Sequence, residues 1–97
     1  MNYFFDPHAQ NELRSATLHF DEIDADLGRD FALEIERAIS LLQFPEGWPQ
    51  VARSVRRCPT KRFPYALLYR IRHDQIEFLA VMHESRKPGY WSNRLRE

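Results

Sequence analysis

Ala9, Leu13, Ala16, Phe20, Ile23 and Leu27 recur at alternating steps of four and three, which lines them along one stripe of a helix with polar residues on its other faces. Asp6-Pro7 supplies the start, because an Asp side chain caps free N–H groups and Pro fits the first helical position. Gly28 interrupts the stripe. A second stripe of Phe31, Ile35, Ala38 and Leu42, thickened by Ile39 and Leu41, predicts another helix that Pro45 ends. So short a junction makes the two helices antiparallel neighbours.

From Pro45 to Pro49 the chain reads as a loop, and beyond it the period changes from helical to alternating. Residues 51–58 are predicted to contain a first strand, Tyr65 to Arg72 a second and Gln75 to His83 a third, with His73-Asp74 at a tight turn. The simplest register sets Ile71 opposite Ile76, Tyr69 opposite Phe78, Leu67 opposite Ala80 and Tyr65 opposite Met82 on one face, and Arg70 opposite Glu77 on the other. That other face also carries Ala66, Leu68, Leu79 and Val81, so pattern alone leaves open which face receives the helices. Tyr3-Phe4-Phe5 fits an added edge strand. The expected class is α+β, an N-terminal antiparallel helix hairpin packed on a small antiparallel sheet.

At 97 residues, with 43% hydrophobic and 29% charged positions, the chain is expected to form one domain over residues 1–97 with one modest core. No repeat or low-complexity tract divides it. No apolar run approaches membrane-spanning length and the N-terminus lacks the pattern of a secretory signal, so the expected compartment is the cytoplasm, without a membrane partner. Charge changes the picture. Residues 1–50 hold 3 Lys/Arg against 10 Asp/Glu, and residues 51–97 hold 11 against 4, so a net charge of zero hides a split of −7 and +7. Such asymmetry points to an anionic partner, nucleic acid or acidic protein. The acidic residues from Asp21 to Glu36 read as solvated faces.

The candidate chemistry lies in the basic half. Arg53, Arg56 and Arg57, then Lys61 and Arg62, then Arg86 and Lys87 gather at one edge if the predicted topology holds, beside Tyr90 and Trp91. Guanidinium groups bind phosphates by charge and fork geometry, and aromatic rings stack on unpaired bases. The same set would serve an acidic protein partner, and a solvated sheet face or a Trp91 that simply plugs the core gives the plainer account. His83 has the chemistry of a general acid or base, although a lone histidine at a strand end is more often structural. Tyr90, beside a Pro-Gly turn, reads first as a cap on the core. Cys58 stands alone and reads as a small buried residue. No zinc-ligand spacing, Ser/His/Asp arrangement or glycine-rich phosphate loop is visible, so neither metal nor cofactor is expected.

Arg56-Arg57, Phe63-Pro64-Tyr65, Leu68-Tyr69, Ile76, Ala80-Val81, His83, Arg86, Pro88 and Tyr90-Trp91 resemble the RelE/ParE superfamily of bacterial type II toxin-antitoxin toxins. Asp6, Ala9, Glu12, Leu27-Gly28 and Phe31 match its first half. The resemblance implies a growth-inhibiting toxin, of the kind associated with plasmid stabilization, held by a cognate antitoxin in a hetero-oligomer. One branch of the superfamily cleaves messenger RNA on the ribosome, and the ParE-like branch poisons DNA gyrase without an RNase site. For a nuclease the resemblance implies Arg86, Tyr90 and His83 as catalytic residues. Arg53, Arg56, Arg57, Lys61, Arg62, Lys87 and Trp91 are then the expected target- or antitoxin-binding set. The nucleases carry arginine where Ala66 and Glu84 align here, and Arg57 and Lys61 are the possible substitutes for cations on the preceding strand. The loss of two cations leans the reading to gyrase, with the ribonuclease as the alternative and a non-toxic interaction module as a third.

Overall fold

Asp24, rather than Gly28, divides the two helices. In the structure, a computed structural model that describes residues 2–95, α1 spans Pro7–Ile23 and α2 spans Ala25–Ser40. Asp24 is extended, its backbone N–H closes α1 on the Phe20 carbonyl, and its side chain accepts from the Asp26 N–H at 2.8 Å to cap α2. Asp6 caps α1 in the same way, through the His8 N–H at 2.8 Å. Leu27 therefore belongs to α2, and the stripe runs across the break because the hairpin turns both inner faces to one core. Gly28 marks the close approach of the helices: a Cβ there would lie 1.8 Å from Asp21 Oδ1 and 3.0 Å from the Asp21 backbone nitrogen. The second helix stops before Pro45. Its last turn tightens through Leu41 N–H to Ala38 O and Leu42 N–H to Ile39 O, and Pro45–Gly47 forms a 3₁₀ turn where a plain loop was expected.

Five strands follow the order β1-β5-β4-β3-β2, with β1 at Tyr3–Phe5, β2 at Gln50–Ala52, β3 at Val55–Pro59, β4 at Tyr65–Arg72 and β5 at Gln75–His83. The strand expected in residues 51–58 is two strands, folded back at Arg53-Ser54 with Ser54 at φ 66°. The sheet is mixed rather than wholly antiparallel, because the edge strand β1 runs parallel to β5, from Tyr3 beside Ile76 to Phe5 beside Phe78. The Phe5 and Phe78 rings stack at 4.8 Å and hold that edge.

His73 and Asp74 both take positive φ (52° and 61°), as a two-residue hairpin turn requires. Near this turn the expected pairs form: Ile71 with Ile76, Arg70 with Glu77, Tyr69 with Phe78. Beyond them the register slips at a bulge, so that Leu68 faces Ala80, Leu67 faces Val81 and Tyr65 faces His83; the expected Leu67–Ala80 and Tyr65–Met82 pairs are absent. Because a bulge sets two residues against one, Leu79 and Ala80 share a face. Ile76, Phe78, Val81, Leu67 and Tyr69 then lie under the helices, while Leu68, Leu79 and Ala80 pack with Val55 and Trp91 on the opposite face. The hairpin covers one side of the sheet and the segment after β5 covers part of the other.

Cys58 is fully buried under α2, with Sγ 3.9 Å from the Ala38 carbonyl, and burial pushes its thiol from 9.0 up to about 11. A thiol kept neutral stabilises the fold fully below pH 9, and that contribution is lost as pH rises through about 11. Ellman's reagent at pH 8 is therefore expected to leave Cys58 untouched until denaturant is added; rapid labelling of the native chain would contradict the packing.

Candidate functional site

Glu12 on α1 pins the segment that follows β5. One carboxylate oxygen accepts from the Val81 backbone N–H at 3.0 Å and from Arg94 at 2.8 Å; the other accepts from the Tyr90 hydroxyl at 2.7 Å and from Arg94 at 3.0 Å. Arg94 also donates to the Leu79 carbonyl at 2.8 Å. Pairing with β1 ends at Phe78, and beyond it these two side chains satisfy backbone groups of β5. Neither Glu12 nor Arg94 stood out as a site residue by type or spacing, since they meet only through the fold.

This clamp fixes the aromatic pair. The Tyr90 ring lies under the Arg86 guanidinium, 3.8 Å from its carbon to the ring centroid, and Trp91 is buried against Val55, Leu68, Leu79 and Ala80. Burial, together with the bond to Glu12, raises the Tyr90 phenol far above its ordinary range. It is therefore a hydrogen-bonded strut, ill-suited to giving up a proton.

The cations divide among several places. On β3 successive residues face opposite ways, so Arg57 sits beside Leu68 on the open face and pairs with Glu84, while Arg56 faces the other way and donates to the Trp48 carbonyl at 2.5 Å. Arg62 pairs with Asp30 of α2 at 2.7 Å. Lys61 gives its backbone N–H to Glu34 at 2.6 Å, and Glu34, bonded chiefly to Arg37, is held down at about 2. Arg53 is exposed at the β2–β3 turn and Lys87 after β5. Arg53, Lys87 and Arg86 make no ion pair among the described residues.

Arg57 and Arg86, from the expected binding and catalytic sets, do meet at a slot of about 240 Å³ floored by Leu68, Met82 and Trp91 and walled by Val51. Arg56, Lys61 and Arg62 lie outside it. His83 faces the helix side, its ring edge-on to Tyr65 at 5.1 Å and its Nδ1 accepting from the Ser85 N–H at 3.0 Å. Ala66, fully buried, and Glu84, paired with Arg57, offer no cation. Among the described residues no three His, Cys, Asp or Glu side chains group as metal ligands, and no helix is long and apolar enough to cross a membrane.

A family model described as ParE toxin of type II toxin-antitoxin system, parDE, matches residues 3–88. A solved structure described as a chromosomal ParDE TA system from P. aeruginosa aligns with a TM-score of 0.72 at 17% identity, covering 86% of this chain and 95% of that one, which is a likeness of fold. No curated protein matches the chain.

Proposed function

This chain belongs to the ParE toxin family of type II toxin-antitoxin systems, and from that membership we propose that it arrests growth by binding DNA gyrase without catalysis, in the cytoplasm, until a cognate antitoxin captures it in a hetero-oligomer. The observation that carries the reading is the state of the residues a nuclease would use. Tyr90 is tied to Glu12 and made less acidic, position 66 is a buried alanine, and Glu84 cancels Arg57. Cleavage through a neighbouring 2′-hydroxyl needs cations on the scissile phosphate and a group able to move a proton. Arg86 makes no ion pair among the described residues, but it is not joined by the arginines that the nucleases carry at positions 66 and 84. The slot of Leu68, Met82 and Trp91, rimmed by the Arg57–Glu84 pair and by Arg86, with Lys87 exposed next to Arg86 in the chain, suits a protein surface that brings an apolar anchor and a carboxylate.

Induction of the chain without its antitoxin is expected to stop growth with transcripts intact, and the purified chain to inhibit supercoiling by gyrase. Replacing Arg86 and Lys87 with Ala should raise the concentration for half-inhibition by about tenfold or more, the equivalent of about 1.4 kcal/mol of binding. New 5′ ends within translated codons, or gyrase that runs unimpeded beside the chain, would overturn the proposal.

A further inference from the structure

A second cleft, of about 210 Å³, opens on the helix side of the sheet, between α1 and the end of β5, and shares Arg86 with the slot of the gyrase reading. Glu12, Ser15 and His19 line it from α1, with Tyr65, His83 and Arg86 opposite. We propose that this cleft binds a phosphate group, either free or at the end of a larger molecule.

The argument starts at His83. A backbone N–H can only donate, so the Ser85 N–H at 3.0 Å from Nδ1 makes that nitrogen the acceptor, and the Ser85 hydroxyl lies 2.8 Å from the same atom. The proton then resides on Nε2, and the edge-on contact with Tyr65 holds the ring in place. His83 is thus a fixed donor. Arg86 supplies the charge: it has no carboxylate partner among the described residues, and its guanidinium is immobilised over the Tyr90 ring. Glu12, the carboxylate on the wall, is neutralised by Arg94 and has both oxygens occupied by the Val81 N–H, Tyr90 and Arg94. Its negative charge is spent.

Ser15 and His19 add donors one turn apart on α1, facing those from β5. Donors on two opposing walls suit a tetrahedral oxyanion, which offers acceptors in several directions, better than a planar carboxylate, which a single fork satisfies. The volume falls below the roughly 300 to 1,000 Å³ of ordinary small-molecule sites, so the cleft fits the phosphate rather than what it is attached to.

Titration of the full-length chain with inorganic phosphate at constant ionic strength, followed by NMR of the imidazole protons, is expected to give saturable shifts at His83 and His19. Arg86→Ala and Ser15→Ala, both at exposed positions, should each weaken binding several-fold with the fold unchanged by circular dichroism. A dinucleotide with a 5′-phosphate binding more tightly than inorganic phosphate identifies a nucleic-acid end as the source; equal affinity identifies the free ion. Shifts that never saturate, that match in Arg86→Ala, or that acetate or the unphosphorylated dinucleotide reproduces with equal affinity would overturn the site.

Discussion

Glu12→Ala is expected to cost about 3 to 5 kcal/mol of stability, the range for breaking a buried ion pair by removing one partner. Both members are largely withdrawn from solvent, with the Arg94 side chain 10% exposed and Glu12 17%. Alanine strands the guanidinium, the Tyr90 hydroxyl and the Val81 N–H at once, and each unmet buried group carries its own desolvation cost. For a chain of this size, where total stability is around 5 to 15 kcal/mol, that is a large share. Urea denaturation measures it, and a midpoint within experimental error of the parent would refute the clamp. Removing both charges with Glu12→Leu and Arg94→Met should cost less than Glu12→Ala alone, since no lone charge then remains inside.

Phe31→Ala should cost a similar amount, about 3 to 5 kcal/mol, by leaving a cavity at the junction of hairpin and sheet. Phe31 is fully buried, and its ring lies 5.1 Å from Phe20, 5.2 Å from Phe63 and 5.1 Å from Tyr65, so it joins α1, α2 and the start of β4. Each geometry is edge-on or tilted, which favours aromatic pairs beyond the area they bury. The thermal midpoint should fall by roughly 12 to 40 °C at about 4 to 8 °C per kcal/mol. Phe31→Leu should recover more than half of that loss. An alanine variant that melts with the parent would mean the cluster is not the core.

What the sequence made legible was the part encoded by short-range repetition. The two apolar stripes identified both helices, and the His73-Asp74 turn set the near half of the last hairpin. The helix break was misplaced because Leu27 continues the stripe of α1 in register, while the cap that decides the boundary is one polar atom on Asp24. The bulge was invisible since Leu79 and Ala80 are both apolar and either could face either way. The ambiguity of the two sheet faces had a physical cause: both are covered, one by helices and one by Trp91. At the site, the basic half was real as a count but not as a single surface. Arg56 and Arg57 diverge on their strand, and Arg57, Arg62 and Arg94 each meet a carboxylate far away in sequence, a pairing that no local pattern carries.

The parallel seat of β1 against β5 has a consequence for biosynthesis. Tyr3, Phe4 and Phe5 leave the ribosome early, yet the backbone they pair with is residues 76–78, and Glu12 waits still longer for Arg94. Loop-closure entropy must be met before such distant partners repay it, so the finished sheet is a late event in the life of the nascent polypeptide. Until residues 76–78 have been made, those three aromatic residues travel without their strand, available to whatever chaperone or newly made neighbour reaches them first.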